Sequence, residues 1–132
     1  MAESEHIFTR SEASSLLPRL RPILEELREE WGRVRALNPE IQKAREKAML
    51  DGFSPKGVEY VETVSHLMLL MQQVRDMGVL VKDLDKGLID FPYLKDDRVV
   101  YLCWHLGEDS IEYWHDVESG FAGREPLEDS DV

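Results

Sequence analysis

The sequence predicts an α+β fold: a long antiparallel helical hairpin with a kinked first helix, followed by a small three-stranded antiparallel β-meander. Three observations lead there. Apolar residues recur every three or four positions from Leu20 to Ile41, and again from Tyr60 to Val81. After Lys86-Gly87 the period shortens to two, and β-branched and aromatic residues take over. The turn signals "LKDD" and "GEDS" then divide that second part into three strands.

The first helix has a start signal. Thr9 with Glu12 three residues on forms a capping box, and Phe8 and Ala13 flank it as a hydrophobic staple. Pro18 and Pro22 each remove a backbone donor, so a break or bend is expected near Pro18. Beyond it Leu20, Ile23, Leu24, Leu27, Trp31, Val34, Leu37 and Ile41 make one apolar stripe among charged residues. Asn38-Pro39 offers a second kink, and Gly52 a stop.

Ser54-Pro55 marks the start of the second helix, expected over about 56–86, with Tyr60, Val64, Leu67, Met71, Val74, Gly78 and Val81 in its seam. Residues 67–71, "LMLLM", are apolar all round, which one partner helix does not cover. Burial on more than one side is therefore expected. His66 beside this run reads as a partly exposed helix residue.

In the meander, expected over about 87–117, four-residue loops at 94–97 and 107–110 would place Tyr93 opposite Arg98 and Leu106 opposite Ile111. One face then carries Ile89, Phe91, Val100, Leu102, Trp104, Leu106, Ile111, Tyr113 and His115, and docks on the helices. The other carries Leu88, Asp90, Val99, Tyr101, Cys103, His105, Glu112, Trp114 and Asp116. That second face is apolar enough to need a cover, either residues 7–20 or a second copy of the chain. A helix over 109–119, capped by Asp109 or Ser110 and ended by Gly120, is the alternative for the third strand.

The 132 residues suit one domain over 1–124, with a Gly-rich loop at 118–124 and an acidic flexible tail at 125–132. A net charge of −11 speaks against nucleic acid, since phosphate contacts require clustered Lys and Arg. No run approaches the roughly 18 apolar residues of a membrane span, and the polar start "MAESEHIFTRSE" is unlike a secretory signal. A single cysteine, Cys103, fits a reducing cytoplasm.

Chemistry-bearing residues are sparse. Glu-x-x-His spacings occur at Glu3/His6 and Glu112/His115, but the helices supply no further inward carboxylates for a di-metal bundle site. Cys103, His105 and Glu112 share a face in the expected register and are zinc-competent, yet a fourth ligand is lacking. Side chains two apart on a strand stand ~6.6 Å from each other, too far for His105 to activate Cys103 as a nucleophile. "GFAGR" could form a small anion nest with Arg124 as its clamp, and equally a tight turn with Arg124 paired to an acid. A ligand site, if present, would draw on His115, Arg124, Asp90, Tyr101 and Trp114, with Trp114 and Phe121 as anchors.

The segment "GLIDFPYLKDDRVVYLCWHLGEDSIEYWHDVESGFAGREPL", preceded by "FTRSEASSLLPRL", resembles a bacterial family known as domain of unknown function 2203, some members of which carry a cell-division label. The resemblance spans nearly the whole chain and implies no activity or cofactor. The family pattern often has Asp-Gly where this chain has Asp96-Asp97, and an arginine where His105 stands. With no complete catalytic constellation, the reading favoured by sequence is a non-catalytic cytoplasmic assembly protein, self-associating as a dimer or binding another protein. The alternative is a small-ligand or metal-binding protein with its site on the C-terminal sheet and GFAGR loop.

Overall fold

The computed structural model describes residues 6–51 and 55–132, without the side chains of 40–42, 44–51, 55 and 56. Two helices, α1 (Arg10–Asp51) and α2 (Pro55–Asp76), precede one antiparallel sheet of five strands. The strands are β1 (Leu80–Asp83), β2 (Leu88–Lys95), β3 (Arg98–His105), β4 (Tyr113–His115) and β5 (Glu125–Pro126), and they neighbour one another in chain order. Among the described residues no helix is long and apolar enough to cross a membrane.

α1 opens on the expected capping box: the Thr9 N–H donates to Glu12 Oε1 at 2.8 Å, and the Glu12 N–H donates to Thr9 Oγ1 at 3.0 Å. These bonds, the backbone donor of Thr9 foremost, hold the Glu12 carboxyl below its usual range. Phe8 and Ala13, the staple, are both buried. Of the break or bend expected at Pro18, the break does not occur: the helix is continuous through Pro18, Pro22 and Pro39. The prolines, and the residues whose carbonyls they leave without a partner (Ser14, Pro18 and Arg35), all lie on the exposed side, where water can replace the lost bonds. The stripe is as the spacing predicts: Leu20, Leu24, Leu27, Val34 and Leu37 are buried, with Ile23 and Trp31 packed beside them. The side chain of Ile41 and the stop at Gly52 lie outside what is described.

α2 ends ten residues earlier than the seam suggests. Gly78 takes a φ of +85°, closed by its N–H bond to the Arg75 carbonyl at 2.8 Å, and the chain then enters β1. Gly78 and Val81 continued the helical spacing by coincidence, so the hairpin expected to 86 is a helix, a turn and a strand. Leu67, Leu70 and Val74 are buried, but Met68 and Leu69 are each 65% exposed, so "LMLLM" is covered on one side only. His66 ties the helices together, its Nδ1 2.9 Å from Glu30 Oε2 and its Nε2 3.1 Å from Glu26 Oε1.

The sheet has five strands where three were expected. β2 and β3 join through a two-residue turn, with Lys95 opposite Arg98 and positive φ at Asp96 and Asp97. The expected four-residue loop misplaces the pairing by two, which leaves every side chain on its predicted face. Ile89, Phe91, Val100, Leu102 and Trp104 are fully buried against the helices. β4 differs: Leu102 pairs with Trp114 and Tyr101 with His115, one residue off the expected register. Trp114 therefore joins the helix-facing core, and His115 lies on the outer face with Tyr101, Cys103 and Asp90. Residues 109–119 contain this strand and no helix.

Pro92 is tolerated in β2 because its backbone points away from β3, past the end of β1, where its carbonyl accepts the Phe8 N–H at 2.8 Å. Residues 125–132, expected as an acidic tail, lie against the fold. β5 pairs with β4, Arg10 Nη1 donates to the carbonyls of Glu128 and Asp131, and Lys95 Nζ meets Asp131 Oδ1 at 2.8 Å.

Candidate functional site

Within the chain, residues 116–124 rather than 7–20 fold back over the outer face of the sheet, against Cys103 and His105. Gly120 adopts a φ of +62°, and a single 3-10 turn, Phe121–Gly123, follows. Phe121 then sits 5.9 Å from the His105 ring, and Arg124 Nη2 lies 3.4 Å from the Cys103 carbonyl. Between this loop and the β1–β2 turn a cleft of about 300 Å³ remains, lined among others by Lys82, Lys86, Asp90, Tyr101, His115 and Phe121.

Its floor is a buried acid–base pair. Asp90 is 1% and His115 3% exposed, and both Asp90 carboxylate oxygens lie 3.0 Å from His115 Nε2. His115 Nδ1 is 2.7 Å from the Asp116 carbonyl, which can only accept, so Nδ1 carries a hydrogen and Nε2 is aimed at Asp90. Burial is the largest influence on the Asp90 carboxyl and raises it above its ordinary value, against the opposing pull of His115. Cys103, directly across the ladder from Asp90, is fully buried, and burial pushes its thiol up to about 12. Among the described residues, Asp90, Cys103 and His115 form the group whose donor atoms all lie within 4.8 Å of one another.

Above the floor stand cations and rings. Lys86 Nζ is 4.7 Å from the centre of Phe121, and Lys82 Nζ 5.9 Å from that of Tyr101.

The residues considered from sequence thus divide. Asp90, Tyr101 and His115 meet at the cleft. Trp114 is on the opposite face, 8% exposed, with Lys95 and Arg98 over its ring. Arg124 is held in the scaffold, its Nη2 2.9 and 3.0 Å from the Glu108 carboxylate oxygens and its guanidinium 4.0 Å from the Tyr113 ring centre. Cys103, His105 and Glu112 do not gather. The His105 ring is turned to the Leu106 carbonyl and toward Glu108, and Glu112 accepts from Ser110.

A family model described as "Uncharacterized conserved protein (DUF2203)" matches residues 6–127. The chain belongs to this family. No curated protein and no solved structure is found to match it. The matched DUF2203 segment contains every residue of the cleft and its floor.

Lys82 and Lys86 escape a sequence reading that places them in a helix. The signal was present: "VLVKDLDKGLIDF" is two apolar runs about a turn, with Gly87 at a φ of +61° closing it.

Proposed function

We propose that the protein binds a small anionic molecule in the cleft between the β1–β2 turn and the loop 116–124. The observation that carries this reading is the Asp90–His115 pair at the cleft floor. A buried ionisable pair costs desolvation energy that an apolar pair would not, and such pairs concentrate where a site needs them. The walls supply two ammonium groups, Lys82 and Lys86, beside one carboxylate, Asp83, whose side chain is engaged by the Lys86 N–H, with Tyr101 and Phe121 as flat apolar surface. The volume, about 300 Å³, is at the small end of ligand sites and suits a metabolite-sized carboxylate or phosphate ester. Amide NMR spectra recorded while phosphate- and carboxylate-bearing metabolites are added test it. Shifts centred on Lys82, Lys86, Tyr101 and His115, lost in Lys82→Ala/Lys86→Ala, are expected. Shifts absent there would end the reading.

A second reading, self-association in the cytoplasm, is supported by the outer side of α2. Val61, Met68 and Leu69 are 61%, 65% and 65% exposed, and from Val61 to Gln73 the only ionisable residues are Glu62 and His66. Two copies of this helix packed about a two-fold axis would bury that apolar surface with little like-charge repulsion. Sedimentation at tens of micromolar should show a dimer that Leu69→Lys dissociates. A wild-type monomer would refute it.

A further inference from the structure

We propose that Asp90, Cys103 and His115 bind a divalent transition-metal ion, zinc by the character of the donors, at the floor of the cleft. The three side chains come from adjacent strands, β2, β3 and β4, so the hydrogen-bonded ladder fixes their spacing. All three are at least 97% buried, and a carboxylate oxygen, a thiol sulfur and an imidazole nitrogen converge within 4.8 Å. A tetrahedral ion with bonds of about 2.0–2.3 Å would hold such donors roughly 3.3–3.6 Å apart. Asp90 and His115 stand at 3.0 Å and the three donors lie within 4.8 Å of one another, so the ion needs the first pair to open by a few tenths of an ångström and the set to close to those spacings by a side-chain adjustment of up to about 1 Å.

The orientation of His115 points the same way. With the hydrogen on Nδ1 engaged by the Asp116 carbonyl, the ring directs Nε2 at two carboxylate oxygens. Something positive must lie between them, and a shared proton and a metal ion are the two candidates. A histidine steadied by a backbone carbonyl at one nitrogen, with the other facing further ligands, is the arrangement of metal-bound histidines. The charges also balance, since a carboxylate, a thiolate and a neutral imidazole sum to −2 against a 2+ ion. Arg124, whose charge is felt by Asp90 and Cys103, is itself paired with Glu108. A thiolate among the donors selects zinc over magnesium or calcium.

Three protein ligands leave a tetrahedral ion one open position, and two of them, Asp90 and His115, line the cleft. A metal there deepens the reading of the cleft as an anion site, because the ion would offer the ligand a direct bond. The two fail separately, since metal uptake and anion binding are measured apart.

The whole chain, stripped with a chelator and confirmed folded by circular dichroism, is titrated with Zn²⁺ by calorimetry and with Co²⁺ by absorption. One ion per chain is expected, with thiolate-to-cobalt charge transfer in the near ultraviolet. Cys103→Ala and Asp90→Asn should each weaken Zn²⁺ by more than about 100-fold, beyond the 10–100-fold of losing a supporting partner. A folded wild type that takes up neither ion overturns the proposal. So does uptake without the charge-transfer band, which would place the ion on surface carboxylates. Because the wild-type cobalt spectrum decides alone, a variant that fails to fold leaves the test intact. Metal uptake with no anion-induced shift at Lys82 and Lys86, in loaded or stripped protein, would remove the anion and keep the metal.

Discussion

The two faces of the sheet are built from alternate residues of the same strands, and both bury side chains at their centre, but by different means. On the inner face Ile89, Phe91, Val100, Leu102 and Trp104 lie against α1 and α2 with no exposed area at all. On the outer face Asp90, Cys103 and His115 are almost as deep, yet a loop and a network of polar contacts close over them. Apolar packing is non-directional and stabilises in proportion to area. Buried polar groups stabilise only while every partner is in place. The inner face therefore supplies the stability of the domain, and the outer face draws on it to hold Asp90, Cys103 and His115 in fixed geometry.

The largest expected effect lies on the inner face. Trp104→Ala removes a fully buried indole and the bond from its Nε1 to the Glu108 carbonyl, 3.1 Å long. A loss of about 3–5 kcal/mol in denaturant unfolding is expected. A cost near 1 kcal/mol would mean that the helices do not rest on this face. His115→Ala on the outer face strands Asp90 without its partner and should cost about 1–3 kcal/mol. If it matches Trp104→Ala, the outer face is structural in the same sense as the inner one, and the contrast fails.

The outer face can also be probed through Cys103. With its thiol pushed up to about 12, the thiolate fraction at pH 8.5 is about 1,000-fold below that of a free cysteine. In chelator, the native protein should be alkylated at least that much more slowly than the unfolded chain. Mass spectrometry of timed samples reads the rate, and rapid native labelling would show that the loop 116–124 does not seal the face.

How much of this was legible in the sequence follows from how local each cause is. The capping box is specified within four residues, and Thr9 and Glu12 form it as read. The faces of β2 and β3 are set by the evenness of one turn, so even a wrong loop length leaves them correct. β4 is another matter. Its register depends on the path of residues 106–112, where the Ile111 carbonyl is gripped by Arg10 across 101 positions of sequence and the Glu108 carbonyl by Trp104. No short-range pattern carries those contacts, and the slip of one residue they impose is what brings His115 to Asp90. The site was legible as residue types on a sheet; its geometry was not.

The smallest expected effect concerns the turn that keeps the two faces apart. Asp96 and Asp97 have φ of 51° and 64°, a left-handed conformation that costs an L-residue energy and that the two-residue turn requires of both. Glycine adopts it freely, at the expense of greater freedom in the unfolded chain. Asp97→Gly should therefore raise stability by no more than about 1 kcal/mol, the relieved strain partly offset by that entropy. Because the turn keeps its two residues, Phe91 stays opposite Leu102 and Asp90 opposite Cys103, and neither face changes. Thermal unfolding measures the gain, and amide spectra check that resonances of Trp104 and His115 stay in place. A stability loss would show that an aspartate side chain contributes more to the turn than its backbone strain removes, and that the separation of the faces rests on more than turn length.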